Sequence, residues 1–140
     1  MTALDLSALR RRLHAAPELS NHEQQTAAFV ADQLRAFGPA EVLTDLGGHG
    51  LVALWRGAAD GPTVLIRCEL DALPIPETVQ LDHGSATPGV AHKCGHDGHM
   101  TMVLGVAPRL QATPPVRGSV GLLFQPAEET GEGAARMLTD

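Results

Sequence analysis

Apolar residues along the 140-residue chain recur first at helical spacing, then at strand spacing, then in short solid runs. Leu6, Leu9 and Leu13 share one face of a first helix. Pro17 ends it, because proline lacks an N–H and its ring clashes with the preceding turn. Ser20 followed by Glu23 has the spacing of a capping box and predicts the start of a second helix. Ala27, Val30, Ala31 and Leu34 form the apolar stripe of that helix, and Gly38 and Pro39 close it.

"EVLTD" and "LVALW" read as short strands, and the turn-rich "GGHG" between them predicts a hairpin. "TVLIRCEL" reads as a buried strand, since Val64, Leu65 and Ile66 leave no polar face at its start. The span from Ala72 to His92 has Pro74, Pro76 and Pro88 and no clear periodicity, which predicts a long functional loop. Met100, Val103, Leu104 and Ala107 return to helical spacing, and Pro108 should kink or end that helix. "SVGLLF" follows as a strand and "EGAARML" as a last helix. Two strands joined through a loop and a helix are the elements of a parallel crossover, so the pattern predicts an α/β sandwich.

Composition narrows the picture. Hydrophobic residues make up 44%, yet Phe29, Phe37, Phe124 and Trp55 are the only Phe, Tyr or Trp residues, so the core must be mostly aliphatic. A chain of this size buries roughly two thirds of its unfolded surface, consistent with one domain over residues 1–140. The net charge is −6, and the only basic cluster is Arg10, Arg11 and Arg12 in the first helix, which argues against nucleic acid as a partner. No apolar run approaches the ~20 residues of a membrane span, and the N-terminus has no leader pattern, so a cytoplasmic protein without membrane attachment is expected. In a reducing compartment Cys68 and Cys94 are free thiols, Cys68 in the core and Cys94 available for chemistry.

The chemistry concentrates in "HKCGHDGHM", His92 to Met100, within a chain that has seven histidines and two cysteines in all. Asp71 directly follows "LIRCEL", and Glu128 and Glu129 follow "LLFQ" after Pro126 and Ala127. If those strands are parallel, the three carboxylates emerge at one sheet edge, where α/β folds bind ligands. The Cys94–His99 segment lies on the connection and can reach the same edge. Thiolate, imidazole and carboxylate together suit a zinc-like ion better than magnesium or calcium. Gly95 permits a tight turn that lets Cys94 and His96 face one metal, and no second nearby cysteine supports a structural zinc knuckle. Adjacent Glu128 and Glu129 suggest that one ligates while the other moves a proton, and two ions about 3.5–4 Å apart would make the reaction a hydrolysis. Isolated His14, His22, His49 and His83 read as surface residues, and Met100 and Met102 as core. Two alternatives stand beside this: a thiol hydrolase with Cys94 as nucleophile, and a non-catalytic metal-binding or interaction domain.

"RRRLHAAPELSNHEQQTAAFV", "LIRCELDALPIPE", "GVAHKCGHDGHM" and "GLLFQPAEETGEGAARML", in that order, resemble the amidohydrolases related to hippurate hydrolase, N-acyl-amino-acid amidohydrolases and the plant auxin-conjugate hydrolases. These lie within the aminoacylase and carboxypeptidase-type dinuclear metallohydrolases. The resemblance covers essentially the whole chain. It implies an α/β fold, part of a three-layer α/β/α catalytic domain with a mixed sheet. It also implies cleavage of the amide bond of small N-acyl amino acids, using two divalent ions that are zinc or manganese, with cobalt or nickel as options. By the same resemblance Cys94 bridges both ions, His96 ligates one and Glu129 the other. Glu128 is then the general base that deprotonates the bridging water and reprotonates the leaving amine. Asp71 and Asp97 orient ligands, and His92 and His99 are structural or supporting. Glu69 stands where many relatives have aspartate, and Cys68 where they often have alanine. Relatives run well past the equivalent of Asp140, into two more histidine ligands and a smaller lid domain that mediates homodimerisation. The expectation is therefore an N-terminal part, truncated before that domain and inactive alone, its sheet left with an unpaired edge or uncovered apolar face.

Overall fold

The computed structural model describes residues 4–140. Helix α1 (Leu6–Ala15) begins at Asp5, whose side chain accepts the Ala8 amide at 3.0 Å, and stops ahead of Pro17. Helix α2 (Gln24–Arg35) carries the expected buried stripe, but the Ser20–Glu23 capping box does not form. The Ser20 hydroxyl donates instead to Asp71 (2.7 Å), and the fully buried Glu23 accepts the Ala127 amide (2.7 Å). Glu18 takes over the first turn of α2, accepting the amides of Gln25 (3.3 Å) and Thr26 (2.7 Å). A cap contributes about 1 kcal/mol, whereas a buried group left unpaired costs about 1–3 kcal/mol, so the tertiary partners win.

Strands β1 (Glu41–Leu46), β2 (Gly50–Arg56), β3 (Ala59–Glu69) and β4 (Arg117–Gln125) form one mixed sheet in the order β1-β2-β4-β3. β1 and β2 are the expected antiparallel hairpin, and β2 pairs β4 antiparallel. β3 pairs β4 in parallel, and the connection between them contains α3 (His96–Leu104) and α4 (Ala107–Ala112). The break between these helices falls at Gly105–Val106, and Pro108 sits in the first turn of α4, where its missing N–H is harmless. Helix α5 (Gly133–Met137) closes the described chain.

One sheet face presents Leu51, Ala53, Trp55, Cys68, Leu122 and Phe124 to Leu9 and Leu13 of α1, Val30 and Leu34 of α2, and Met100 and Leu104 of α3. Fully burying each of the larger side chains stabilises the fold by roughly 1.5–3 kcal/mol. Met102, expected in the core, is 64% exposed, because Met100, Val103 and Leu104 already define the inward face of α3. On the opposite sheet face the short α5 brings Met137 against Gly47 and Gly50. The architecture is thus α/β, with one full helical layer and the start of another.

β3 departs from expectation. It is an edge strand among the described residues, and Val64 and Leu65 are 56% and 54% exposed. Burial begins only at its carboxyl end, at Cys68 and Glu69, where α3 packs over it. Among the described residues no helix is long and apolar enough to cross a membrane.

Candidate metal centre

Because β3 and β4 are parallel, with Glu69 paired to Gln125, their carboxyl ends share one edge of the sheet. Asp71 lies just past β3. Past β4 the chain turns sharply at Ala127, a non-glycine residue with φ +47°. That conformation costs on the order of 1–3 kcal/mol and persists only where its surroundings fix it. Here the Ala127 amide donates to Glu23, and its carbonyl accepts the amides of Gly133 (3.1 Å) and Glu132 (3.2 Å). A side chain at Gly133 would collide with the Pro126 carbonyl, so the turn needs glycine there. The result is that Glu128 and Glu129 face the end of β3.

His96 opens α3 directly after Gly95, which has φ +81°. Its Nδ1 lies 2.7 Å from the Asp71 carbonyl oxygen and donates to it, leaving Nε2 to face the centre. Nε2 stands 3.6 Å from Glu128 Oε2, 3.8 Å from Glu129 Oε1 and 3.8 Å from Glu69 Oε2. These separations are too long for direct hydrogen bonds and suit oxygens that share a cation with the ring. Burial lowers the His96 pKa, but the Asp71 hydrogen bonds and the Glu69 charge outweigh it and raise it to about 9.

Asp71 is fully buried and ties the pieces together. Its Oδ2 accepts the Ser20 hydroxyl (2.7 Å) and the Glu129 amide (2.9 Å). Burial pushes its pKa up, but the adjacent His96 ring and the bonds from the Glu129 amide and Ser20 prevail and hold it below the usual range. Asp71 Oδ1 and Glu129 Oε1 are buried without a hydrogen-bond partner. Cys94 is exposed and stands outside the group formed by the ligand atoms of His96, Glu128 and Glu129, which lie within 4.8 Å of one another. It does neighbour Glu129: the proximity of that carboxylate, then burial and the surrounding negative charge, push its thiol up to about 11. Orphaned carboxylate oxygens beside an imidazole and a thiol fit a divalent ion of the zinc type.

Asp97 points away from this centre. Its buried Oδ2 lies 2.9 Å from His14 Nδ1 and 3.2 Å from Arg10 Nε, pinning the first turn of α3 to α1. Burial raises the Asp97 pKa, and the His14 bond, His92, the Gly98 amide and Arg10 bring it below the usual range. His14 is consequently not the surface residue expected. It is buried, with Nε2 3.0 Å from Glu77 Oε1 and its ring edge-on to His83. Glu77 also accepts Lys93 Nζ (2.8 Å) and the Ser85 amide (2.8 Å), and with His14 these hold its carboxyl down to about 2. His92 is buried with neither ring nitrogen bonded, and burial lowers it to about 4.

The structure thus brings His96, Glu128, Glu129 and Asp71 together, sets Cys94 beside Glu129, and turns Asp97 to a supporting network. Sequence reasoning missed Ser20, Glu23, His14, Glu77 and Glu69 as members of this region. Glu69 carried a usable signal: it lies at the same strand end as Asp71.

Residues 65–140 match the model of peptidase family M20/M25/M40. Over 132 residues the chain is 45% identical to the N-acyl-L-amino acid amidohydrolase of Geobacillus stearothermophilus, covering 94% of this chain and 35% of that protein. It is 42% identical over 136 residues to the IAA-amino acid hydrolase ILR1-like 6 of Arabidopsis thaliana, covering 96% and 29%. The solved structure of the Bacillus subtilis YXEP protein, described as a dinuclear metal binding peptidase from the M20 family, is similar with a TM-score of 0.89 and 37% identity. That match covers 96% of this chain and 38% of the other. The chain spans about a third of the length of these curated relatives.

Proposed function

Because the chain belongs to peptidase family M20/M25/M40, we propose that it forms one wall of a two-metal amidohydrolase centre for small N-acyl amino acids. The observation that carries this reading is the arrangement around His96 Nε2, with Glu128 and Glu129 oxygens at 3.6 and 3.8 Å. The substrate class is supported by the two relatives, both named as hydrolases of amino-acid conjugates.

Cys94, His96 and Glu129 would hold the metal, with zinc or manganese first and cobalt or nickel as options. Two divalent ions, when bound, lower the pKa of water and polarise an amide carbonyl. Asp71 holds the His96 ring and the Glu129 backbone in register, and Asp97 braces α3 from behind. Glu128 is the more open carboxylate, 39% exposed against 17% for Glu129, so its Oε2 can meet substrate. It takes a proton from the attacking water and delivers it to the amide nitrogen as the C–N bond breaks, giving a carboxylate and a free amino acid. A cysteine nucleophile fits less well, since the neighbours of Cys94 push its thiol to about 11, opposite to the lowering that a reactive thiolate needs.

We place this activity in the complete protein, as a cytoplasmic homodimer, and expect the 140-residue chain alone to be inactive. Two free cysteines accord with the cytoplasm. The test compares the complete protein with its Glu128→Gln variant for hydrolysis of an N-acetyl amino acid and for bound metal. Hydrolysis should fall about 10²–10⁴-fold with metal content unchanged. A variant at full rate overturns the base assignment, and activity that resists chelators but dies on thiol alkylation overturns the metal reading.

A further inference from the structure

The Cys94–Gly95 corner carries one proposed metal ligand and introduces the next, yet little packs against it. Cys94 is exposed, and among the described residues no atom lies within 4 Å of where a Cβ on Gly95 would sit. Its flanks are held instead, and both lead to Glu77. On the N-terminal flank, Lys93 Nζ donates to Glu77 Oε1 at 2.8 Å. On the C-terminal flank, Asp97 Oδ2 lies 2.9 Å from His14 Nδ1, and the other nitrogen of that ring stands 3.0 Å from the same Glu77 oxygen. One carboxylate thus spans the Cys94–His96 segment from behind.

Glu77 has its own anchors. It lies on the proline-rich loop after Asp71, whose base is closed by reciprocal bonds between Leu73 and Ala91, each 3.1 Å. The loop is docked on the end of α1, where the Ala86 amide donates to the Ala15 carbonyl (2.9 Å), and the Ser85 amide donates to Glu77 Oε2 (2.8 Å). Only 8% of the Glu77 side chain is exposed, so water competes little for these bonds.

We propose that Glu77 is a positioning residue: it holds the Cys94–His96 segment in the geometry that binds metal, through Lys93 on one side and His14 with Asp97 on the other. The inference rests on the proposed ligand roles of Cys94 and His96. Pinning its own loop would need only the Ser85 amide. That local role leaves unexplained why the two other bonds lead to the residues that bracket the segment.

Cobalt(II) binding to the complete protein tests it, with affinity measured by chelator competition and Cys94 followed by the sulfur-to-cobalt charge-transfer band in the near ultraviolet. Charge alone and positioning predict opposite signs for one variant. Lys93→Met removes a positive charge near the cation, so electrostatics alone tightens binding, whereas loss of the tie weakens it. Affinity should fall about 10–100-fold in Glu77→Ala and at least about threefold in Lys93→Met, with the sulfur band diminished in both at saturating cobalt. Glu77→Gln keeps an acceptor oxygen for Lys93 and should fall between wild type and Glu77→Ala. Val79→Ala, on the same loop with a residue 61% exposed, should bind as wild type does. Lys93 is exposed, so Lys93→Met stays decisive if Glu77→Ala does not fold. Wild-type affinity in Glu77→Ala, unchanged or tighter binding in Lys93→Met, or a loss in Val79→Ala equal to that in Glu77→Ala would each overturn the inference and leave the metal centre standing. A complete protein that binds no cobalt overturns the metal centre and this inference with it.

Discussion

At the carboxyl end of β3, Cys68, Glu69, Leu70 and Asp71 are all buried, whereas midway along the same strand Val64 and Leu65 are more than half exposed. The strand is one backbone with two environments. Its carboxyl end is enclosed by segments brought from far along the chain: Ser20 to Asp71, the Glu129 amide to Asp71, and Glu23 to the Ala127 turn. Midway, β3 has β4 on one side and, among the described residues, no strand on the other. Polar cross-ties thus fix the edge where the chemistry gathers, while the apolar middle of β3 is left to packing that the described residues do not supply. Opening free energies should differ accordingly between the two regions.

The largest effect should come from cutting a cross-tie. Glu23→Leu leaves the Ala127 amide buried without an acceptor and should lower unfolding stability by about 1–3 kcal/mol in urea titration, with Glu23→Gln milder because it keeps an acceptor oxygen. Stability equal to wild type in Glu23→Leu would show that the turn holds itself and would break the contrast.

Next in size is the acid response of the network behind the site. Lys93, the Ser85 amide and His14 lower the Glu77 pKa from 4.5 to about 2. A lowered carboxyl pKa contributes stability that is present above 4.5 and is lost as pH falls toward 2. The advantage of wild type over Glu77→Gln should therefore be full at pH 7 and shrink steadily below pH 4.5, measured by denaturant unfolding at several pH values. A constant difference down to pH 2 would contradict the assignment.

The smallest effect belongs to the exposed edge. Leu65→Lys should change stability by less than about 0.5 kcal/mol, since the side chain it replaces is more than half exposed and lysine keeps an aliphatic stem there. It should also reduce self-association in sedimentation, because a charged edge strand is a poor template for pairing. A large loss of stability would mean that Leu65 is covered after all.

The parts of this contrast that follow local rules were legible in the sequence. Periodicity located the hairpin, the parallel β3–β4 pair and the break near Pro108, and strand ends located Asp71, Glu128 and Glu129 at one edge. What was not legible depends on partners distant in the chain. Ser20 and Glu23 have a local capping pattern, yet their bonds go to Asp71 and Ala127. His14 looks isolated in sequence, and only the fold places it between Asp97 and Glu77. The run Val64–Ile66 signals apolar environment on both faces, and periodicity cannot say whether neighbouring elements are present to provide it.

The central claim is that the His96 edge holds divalent metal with Cys94 and Glu129 as fellow ligands and Glu128 left free for proton transfer. Anomalous diffraction from crystals of the complete protein loaded with zinc tests it most directly. The account predicts a strong peak within bonding distance of His96 Nε2, Glu129 and Cys94, with Glu128 near but not coordinating. A map with no peak at that edge, or one in which zinc is bound away from His96, would contradict it.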